Sequence, residues 1–224
     1  MEKFAVIVAG GSGLRMGTDT PKQFLLLKGK PVLWYTINNF LEAFKDLICI
    51  LVLPQEYLEK GEEIKEMFVI DKKRIITTVG GNTRFQSVKN GLTLVNKDSI
   101  VFVHDGVRCL VDDALIKSCY KQAIEKGSAI PAVAAVDSIR IVDGSTHKVA
   151  DRNNVRIIQT PQTFQSEILL EAFEQEFDES FTDEATVVEA MGKRVFLCNG
   201  DYSNIKITRP VDLLVAESFL ASGK

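Results

Sequence analysis

Short β-branched apolar runs alternate with amphipathic helical patterns along most of this 224-residue chain, and that alternation restricts the fold more than any other feature. Residues 4–8, 48–53, 74–79 and 100–104 are rich in Val and Ile and too short for helices, the pattern of buried strands. Between the first two, residues 31–44 set Leu33, Ile37, Phe40, Leu41 and Phe44 on one helical stripe, with Pro31 in the first turn. Residues 55–67, 83–95 and 112–126 are helix-like too, and Gly127 suits the end of the last. The expected fold is α/β: a twisted, mostly parallel sheet with helices on both faces.

After Val136 the alternation falters. Residues 138–142, an Asp143-Gly144 turn and residues 148–158 read as a charged hairpin, expected to protrude as a lid or as an arm gripping a second subunit. Helical patterns resume at 166–177 and 183–191, the latter with Thr182 as its expected N-cap and Gly192 beyond its end. Strands at 194–198 and 204–208 and a helix from Pro210 complete the reading. No repeat or linker interrupts the chain, so residues 1–224 are expected to form one domain with an arm at about 137–158.

Lys+Arg 27 against Asp+Glu 30 leaves a net charge of −3, which argues against a nucleic-acid binder relying on counterion release. An anionic ligand must therefore meet locally placed cations. Cys49, Cys109, Cys119 and Cys198 are scattered with no C-x-x-C pair and read as buried free thiols. The apolar run at 4–8 stops at Gly10-Gly11, and no segment approaches the roughly 20 apolar residues of a membrane helix. These features predict a cytoplasmic protein with neither nucleic acid nor membrane as partner.

The first strand ends in Ala9-Gly10-Gly11-Ser12-Gly13-Leu14-Arg15-Met16-Gly17. Glycines directly after a first strand let backbone N–H groups close on phosphate without Cβ interference. A G-x-G-x-x-G dinucleotide turn starting at Gly11 would need glycine where Met16 stands, and no glycine is followed by Lys and then Ser or Thr. What remains is a glycine turn with Arg15 and Lys22 close behind it, suited to a polyphosphate under attack.

Read together, several segments resemble the sugar-phosphate nucleotidyltransferases. Residues Gly11 to Met16, followed by Pro21-Lys22-Gln23-Phe24, resemble that superfamily's signature. Gly80-Gly81-Asn82-Thr83-Arg84-Phe85-Gln86-Ser87-Val88 is similar to its second nucleotide loop, and His104-Asp105-Gly106-Val107-Arg108 to its acidic strand end. Gln159-Thr160-Pro161-Gln162, Thr182-Asp183-Glu184-Ala185 and Asn204-Ile205-Lys206-Ile207-Thr208 follow in order. The blocks run from about Ala5 to the last helix and most resemble the 2-C-methyl-D-erythritol 4-phosphate cytidylyltransferase family. Departures are Val8-Ala9-Gly10-Gly11 where alanine, alanine and glycine are usual, Val107 and Cys109 around Arg108, and Ser138 with Arg140 where Thr and Lys are usual. An arginine fork differs in geometry from a lysine.

The resemblance implies a Rossmann-like nucleotidyltransferase fold and the transfer of CMP from CTP to 2-C-methyl-D-erythritol 4-phosphate. That reaction releases pyrophosphate and belongs to the non-mevalonate isoprenoid pathway. It implies Arg15, Lys22, Arg152 and Lys206 as catalytic residues. CTP would meet Ala9, Gly10, Gly11, Ser12, Gly13, Arg15, Lys22, Gly81, Asn82, Arg84, Ser87 and Asp105. The acceptor would meet Asp105, Arg108, Asp137, Ser138, Arg152, Thr160, Thr182 and Lys206, and Asp105 would hold Mg²⁺ or another divalent cation. Arg152 on the arm would reach a neighbouring site, which implies a homodimer with shared active sites. An alditol-phosphate cytidylyltransferase, acting for example on ribitol 5-phosphate, stays open as an alternative. The short segment 17–20 and the Thr182–Ala185 block favour methylerythritol. No two aspartates stand two positions apart, which argues against a metal-dependent glycosyltransferase.

The charge has an expected arrangement as well. Between Glu167 and Glu189 lie nine acids and no Lys or Arg, whereas Arg15, Lys22, Arg84, Arg108, Arg140, Arg152 and Lys206 all fall in or beside the blocks. Cations should converge on one cleft while the acids keep to the surface.

Overall fold

A computed structural model describes residues 1–11 and 20–222. Ser12, Gly13 and Arg15 of the expected phosphate loop therefore lie outside the described residues. In chain order, β1 (Glu2–Val8) is followed by a two-residue ladder, β2 (Leu26–Leu27) and β3 (Lys30–Pro31), then α1 (Val32–Ala43) and β4 (Leu47–Leu53). Next come α2 (Leu58–Glu66), β5 (Ile75–Val79), α3 (Arg84–Leu92), β6 (Ser99–Asp105), α4 (Asp113–Lys126) and β7 (Ser128–Ala134). The second half holds β8 (Ile139–Asp143), β9 (Thr146–Ala150), β10 (Arg156–Ile158), β11 (Gln162–Gln165) and α5 (Ser166–Ala172). It closes with α6 (Glu184–Ala190), β12 (Leu197–Asn199) and α7 (Pro210–Ala221).

The eight-stranded main sheet runs β10-β7-β11-β6-β1-β4-β5, with β12 also on β7. β1 pairs in parallel with β4 and β6, and β4 with β5, whereas β11 and β10 run antiparallel to their partners. Side-chain alternation explains why these strands read as continuous apolar runs. Ala5 and Ile7 of β1, Cys49, Leu51 and Leu53 of β4 and Phe102 of β6 meet helices α1, α2 and α4 through Leu33, Phe40, Ile64 and Ile116. Phe4, Val6, Ile50, Val52, Val101 and Val103 point the other way, onto α3, α5 and α6 through Val88, Leu169 and Val188. Each face thus has its own core, as the sequence pattern predicts.

Helix α3 lies so close to the sheet that a Cβ on Gly91 would stand 2.6 Å from Val6 Cγ1 and 2.9 Å from Val52 Cγ2. Gly91→Ala is expected to lose about 1–3 kcal/mol of stability by overpacking, read from a denaturant midpoint. An unchanged midpoint would mean that the helix can retreat from the sheet at no cost.

Several boundaries differ from the sequence reading. β7 and β11 carry no clear strand signature, and residues 204–208 form no ladder; that segment is held by Ile207 N–H donating to Val107 O at 3.0 Å. The hairpin is β8 with β9, Asp143 opposite Thr146, so Gly144 and Ser145 make the turn; residues 156–158 belong to the main sheet as β10. Asp183, not Thr182, caps α6, its Oδ1 accepting from Thr186 N–H at 2.9 Å. Helix α5 stops at Ala172, five residues before its expected end.

Candidate active site

The parallel strands lie in the order β5-β4-β1-β6, so the chain leaves β1 toward one edge and later returns to its other side at β6. Ligands of open α/β sheets bind beyond the strand ends at such a switch point. There the turn after β6 packs on the turn after β1: Gly106 N–H donates to Val8 O at 2.9 Å, and a Cβ on Gly106 would meet Ala9 Cβ at 3.0 Å. Gln23 Nε2 donates to Ala9 O at 2.8 Å, fixing the chain just before Gly10 and Gly11.

Two cavities open at this crevice. The first, about 320 Å³, is lined by Ala9, Gly10, Gly11, Lys22, Gly81, Asn82, Arg84, Ser87, Asp105 and Lys206 among others. The second, about 200 Å³, is lined by Arg84, Asp105, Arg108, Thr160, Thr182, Asp183 and Lys206 among others. Arg84, Asp105 and Lys206 belong to both, so the cavities meet at one charged junction.

The loop entering α3 is shaped by its own helix. Gly81 N–H donates to Ser87 Oγ at 3.1 Å, Ser87 Oγ donates to Thr83 O at 2.9 Å, and Asn82 N–H donates to Gln86 Oε1 at 3.0 Å. A Cβ on Gly81 would lie 2.4 Å from Gln86 Cβ, so this close approach requires glycine. The Ser87 hydroxyl is thus engaged in holding the loop, whose backbone borders the first cavity.

At the junction, Asp105 Oδ2 meets Lys206 Nζ at 3.0 Å and Arg108 Nε at 3.3 Å, and Oδ1 meets Arg84 Nη2 at 3.4 Å. Burial alone would push the Asp105 carboxyl up; Arg84, Lys206 and Arg108 outweigh it and hold the group well below the usual carboxylate range. Burial also pushes His104 down to about 3, against the pull of Asp105, so the imidazole is neutral. Its contacts fit a single tautomer. Asp105 N–H donates to Thr160 Oγ1 at 3.1 Å, that hydroxyl donates to His104 Nδ1 at 3.0 Å, and His104 Nε2 donates to Arg108 O at 3.2 Å. His104 is a structural strut beneath Asp105.

Lys22, buried by its 3₁₀ turn, donates through Nζ to Ile207 O at 2.9 Å and so ties the first cavity to the segment carrying Lys206. Arg108 Nη1 donates to Asn204 O at 2.8 Å, and Asn204 Nδ2 donates to Thr160 O at 2.8 Å, so the wall of the second cavity is one hydrogen-bonded unit.

Lys22, Arg84, Arg108 and Lys206 converge as expected. Arg152, Asp137 and Ser138 do not line either cavity; Arg152 Nη1 donates to Val136 O at the base of the arm. Arg140 contacts His147 within the hairpin. Glu184, expected on the surface with its acidic neighbours, is 2% exposed and pairs with both terminal nitrogens of Arg84. Its signal was an acid directly after the Asp183 cap, inside a block already singled out. Gln23, adjoining Lys22 in another such block, was also missed.

Among the described residues no three metal-ligating side chains cluster. Asp105 is an ionised carboxylate bordering both cavities, which fits a cation whose other ligands come from substrate phosphates and water.

Glycines and cations at the switch point, beside a second cavity that shares Arg84, Asp105 and Lys206, are the arrangement a nucleotidyltransferase requires. The sequence profile of the 2-C-methyl-D-erythritol 4-phosphate cytidylyltransferases matches residues 4–222. A protein of that name from Bacteroides fragilis is 46% identical over 220 residues, 98% of this chain and 100% of the relative. One from Clostridium botulinum is 39% identical over 95% of this chain and 96% of its own length. The crystal structure of 4-diphosphocytidyl-2C-methyl-D-erythritol synthase from Anaerococcus prevotii superposes with TM-score 0.83 at 27% identity, covering 98% of each chain. The chain belongs to the 2-C-methyl-D-erythritol 4-phosphate cytidylyltransferase family.

Proposed function

We propose that this chain transfers CMP from CTP to 2-C-methyl-D-erythritol 4-phosphate, forming 4-diphosphocytidyl-2-C-methyl-D-erythritol and pyrophosphate in the non-mevalonate isoprenoid pathway. The observation that carries this reading is the junction of two anion cavities at Arg84, Asp105 and Lys206, where a nucleotide and a phosphate monoester can meet. An acceptor phosphate oxygen bonds to the α-phosphorus of CTP. The bond from that phosphorus to the bridging oxygen breaks, and pyrophosphate leaves with the electron pair. The acceptor phosphate is already ionised, so approach and charge stabilisation do the work and no general base is needed.

Lys22, with Arg15, stabilises the α-phosphate as charge builds; the backbone at 80–82 borders the nucleotide, and Gly81 and Asn82 are our choice for the base pocket. Lys206, Arg108, Thr160 and Thr182 hold the acceptor phosphate and its chain. Among the described residues, Lys22, Arg84, Arg108 and Lys206 oppose Asp105, Asp183 and Glu184, an excess of one positive charge. That excess is too small for a triphosphate and a monoester together, which supports a divalent cation, Mg²⁺, on Asp105. Bound there, the ion would neutralise and orient the triphosphate.

We assign the arm to a homodimer. An isolated two-stranded ribbon is marginal in water, and β8 and β9 expose Ile141, Val142 and Val149. Arg152 and Ser138, at the arm's ends, would then complete the partner's acceptor site. Four free cysteines support a reducing compartment such as the cytoplasm, and no helix among the described residues is long and apolar enough to cross a membrane.

The test is pyrophosphate release with CTP and Mg²⁺ and with each of two acceptors. Methylerythritol 4-phosphate is expected to exceed ribitol 5-phosphate in kcat/KM, and CTP to exceed the other nucleoside triphosphates. Equal or better turnover of ribitol 5-phosphate would overturn the acceptor assignment.

A further inference from the structure

Glu184 lines neither cavity, yet it is 2% exposed and takes both terminal nitrogens of a guanidinium that lines both. Burying a carboxylate is costly, and an apolar residue of similar volume often serves stability as well or better. The surroundings show what the acid does instead. Arg84 is the first residue of α3 and adjoins the nucleotide loop; Glu184 is the first residue of α6 and follows Thr182 of the acceptor wall by two residues. Arg84 Nη2 also reaches Asp105 Oδ1 at 3.4 Å, so Glu184, Arg84 and Asp105 form one chain of charges across the junction.

The start of α6 is itself fixed. Gln162 Nε2 donates to Asp183 Oδ2 at 2.8 Å, and Ala185 N–H donates to Gln162 Oε1 at 2.8 Å. Phe85, the neighbour of Arg84, packs on Phe173 and Phe181 with ring centres 4.8 and 5.6 Å apart. Glu184 thus grips Arg84 from a base held by hydrogen bonds, and Arg84 itself lines both cavities.

We infer that Glu184 is a positioning residue: through Arg84 it sets the nucleotide loop and the acceptor wall at a fixed separation, so that one side chain outside both cavities governs the binding of both substrates. This rests on the function proposed above. A residue touching one substrate would alter that substrate's KM, whereas Glu184 is expected to alter both. Through its contact with Arg84 alone, it acts without meeting CTP or the acceptor.

The experiment compares wild type, Glu184→Gln and Glu184→Asp, by steady-state kinetics and by calorimetric titration with CTP alone. At metal sites, losing a partner that orients a ligand costs about 10–100-fold, and Glu184 stands in the same relation to Arg84. We expect Glu184→Gln to raise KM for both CTP and acceptor by about tenfold and to weaken CTP binding to the same degree. Glu184→Asp keeps the charge and should recover part of both losses. Changes within twofold of wild type in both KM values and in CTP binding would overturn the inference. So would a change confined to the acceptor, or Glu184→Asp faring no better than Glu184→Gln. If Glu184→Gln does not fold, Glu184→Asp against wild type carries the comparison, and a wild-type KM for both substrates in that variant would refute the role. Failure of the wild type to turn over methylerythritol 4-phosphate would instead strike the functional reading, and the CTP titration would still judge Glu184.

Discussion

Lys22→Ala is expected to lower kcat by about 10²–10³-fold, the scale of about 2.7–4 kcal/mol for one preorganised donor aimed at developing charge. Lys22 borders the first cavity and is held there by a 3₁₀ turn after Pro21 and by its bond to Ile207 O, so its ammonium is in place in the free protein. Preorganisation of this kind makes the effect fall on turnover more than on CTP binding. Lys22→Arg should not restore activity. A guanidinium fork is planar and larger than the ammonium, and the position is only 8% exposed. Steady-state kinetics at saturating CTP checks the prediction; a kcat within threefold of wild type would remove Lys22 from the chemistry.

Asp105→Asn is the second large effect, and it falls first on folding. The substitution is isosteric, so it leaves no void, but it strips the shared counter-charge from Arg84, Arg108 and Lys206 at 3.4, 3.3 and 3.0 Å. Removing one member of a buried charge cluster costs about 3–5 kcal/mol. Lys206 is partly exposed and solvates readily, which places the expectation near the lower end, about 3 kcal/mol. The denaturant midpoint of the free protein reads this directly. A second readout separates charge from shape. Inorganic phosphate should raise the midpoint of Asp105→Asn more than that of wild type, because an anion can replace the lost carboxylate. An unaltered midpoint would show that the three cations do not depend on Asp105.

The elements legible in the sequence are those whose pattern follows from burial on both faces. β1, β4 and β6 each feed two cores, and their runs of Val, Ile and Leu admit few other readings; β5, at the sheet edge, sends Ile75 into one of them. β7 was hidden by its composition, Ser128 to Ala134 with Pro131 inside, since proline argues against a strand interior. The registers resolve the conflict: β11 pairs at Ser128 and Ala129, β10 at Ala132 to Ala134, and Pro131 falls where one antiparallel partner gives way to the other. At residues 204–208 the opposite error arose. The segment has strand-like composition, but its Ile207 backbone is taken up by Lys22 and Val107, a tertiary demand with no local pattern.

The site divides in a similar way. Its glycine turn, Lys22, Arg84, Asp105, Arg108 and Lys206 lie in short blocks where residue type and order carry the chemistry, and the fold brings the described ones together. The acid stretch from Glu167 to Glu189 looked uniform, and counting charges could not single out Glu184 as its buried member. That distinction depends on where α6 docks, which Gln162 and Phe85 decide from elsewhere in the chain. The small net charge thus conceals a local excess of cations partly balanced by buried acids rather than a simple separation of the two.

In the proposed reaction the two cavities bring a nucleotide and a phosphate monoester together to form a new phosphorus–oxygen–phosphorus bridge. Phosphorus NMR of the purified protein mixed with CTP, Mg²⁺ and 2-C-methyl-D-erythritol 4-phosphate tests it most directly. The acceptor's monoester resonance is expected to decay while a coupled pair of diphosphate-diester resonances and one of pyrophosphate grow in equal amounts. An unchanged monoester resonance with CTP intact, or pyrophosphate accompanied by free CMP, would contradict it.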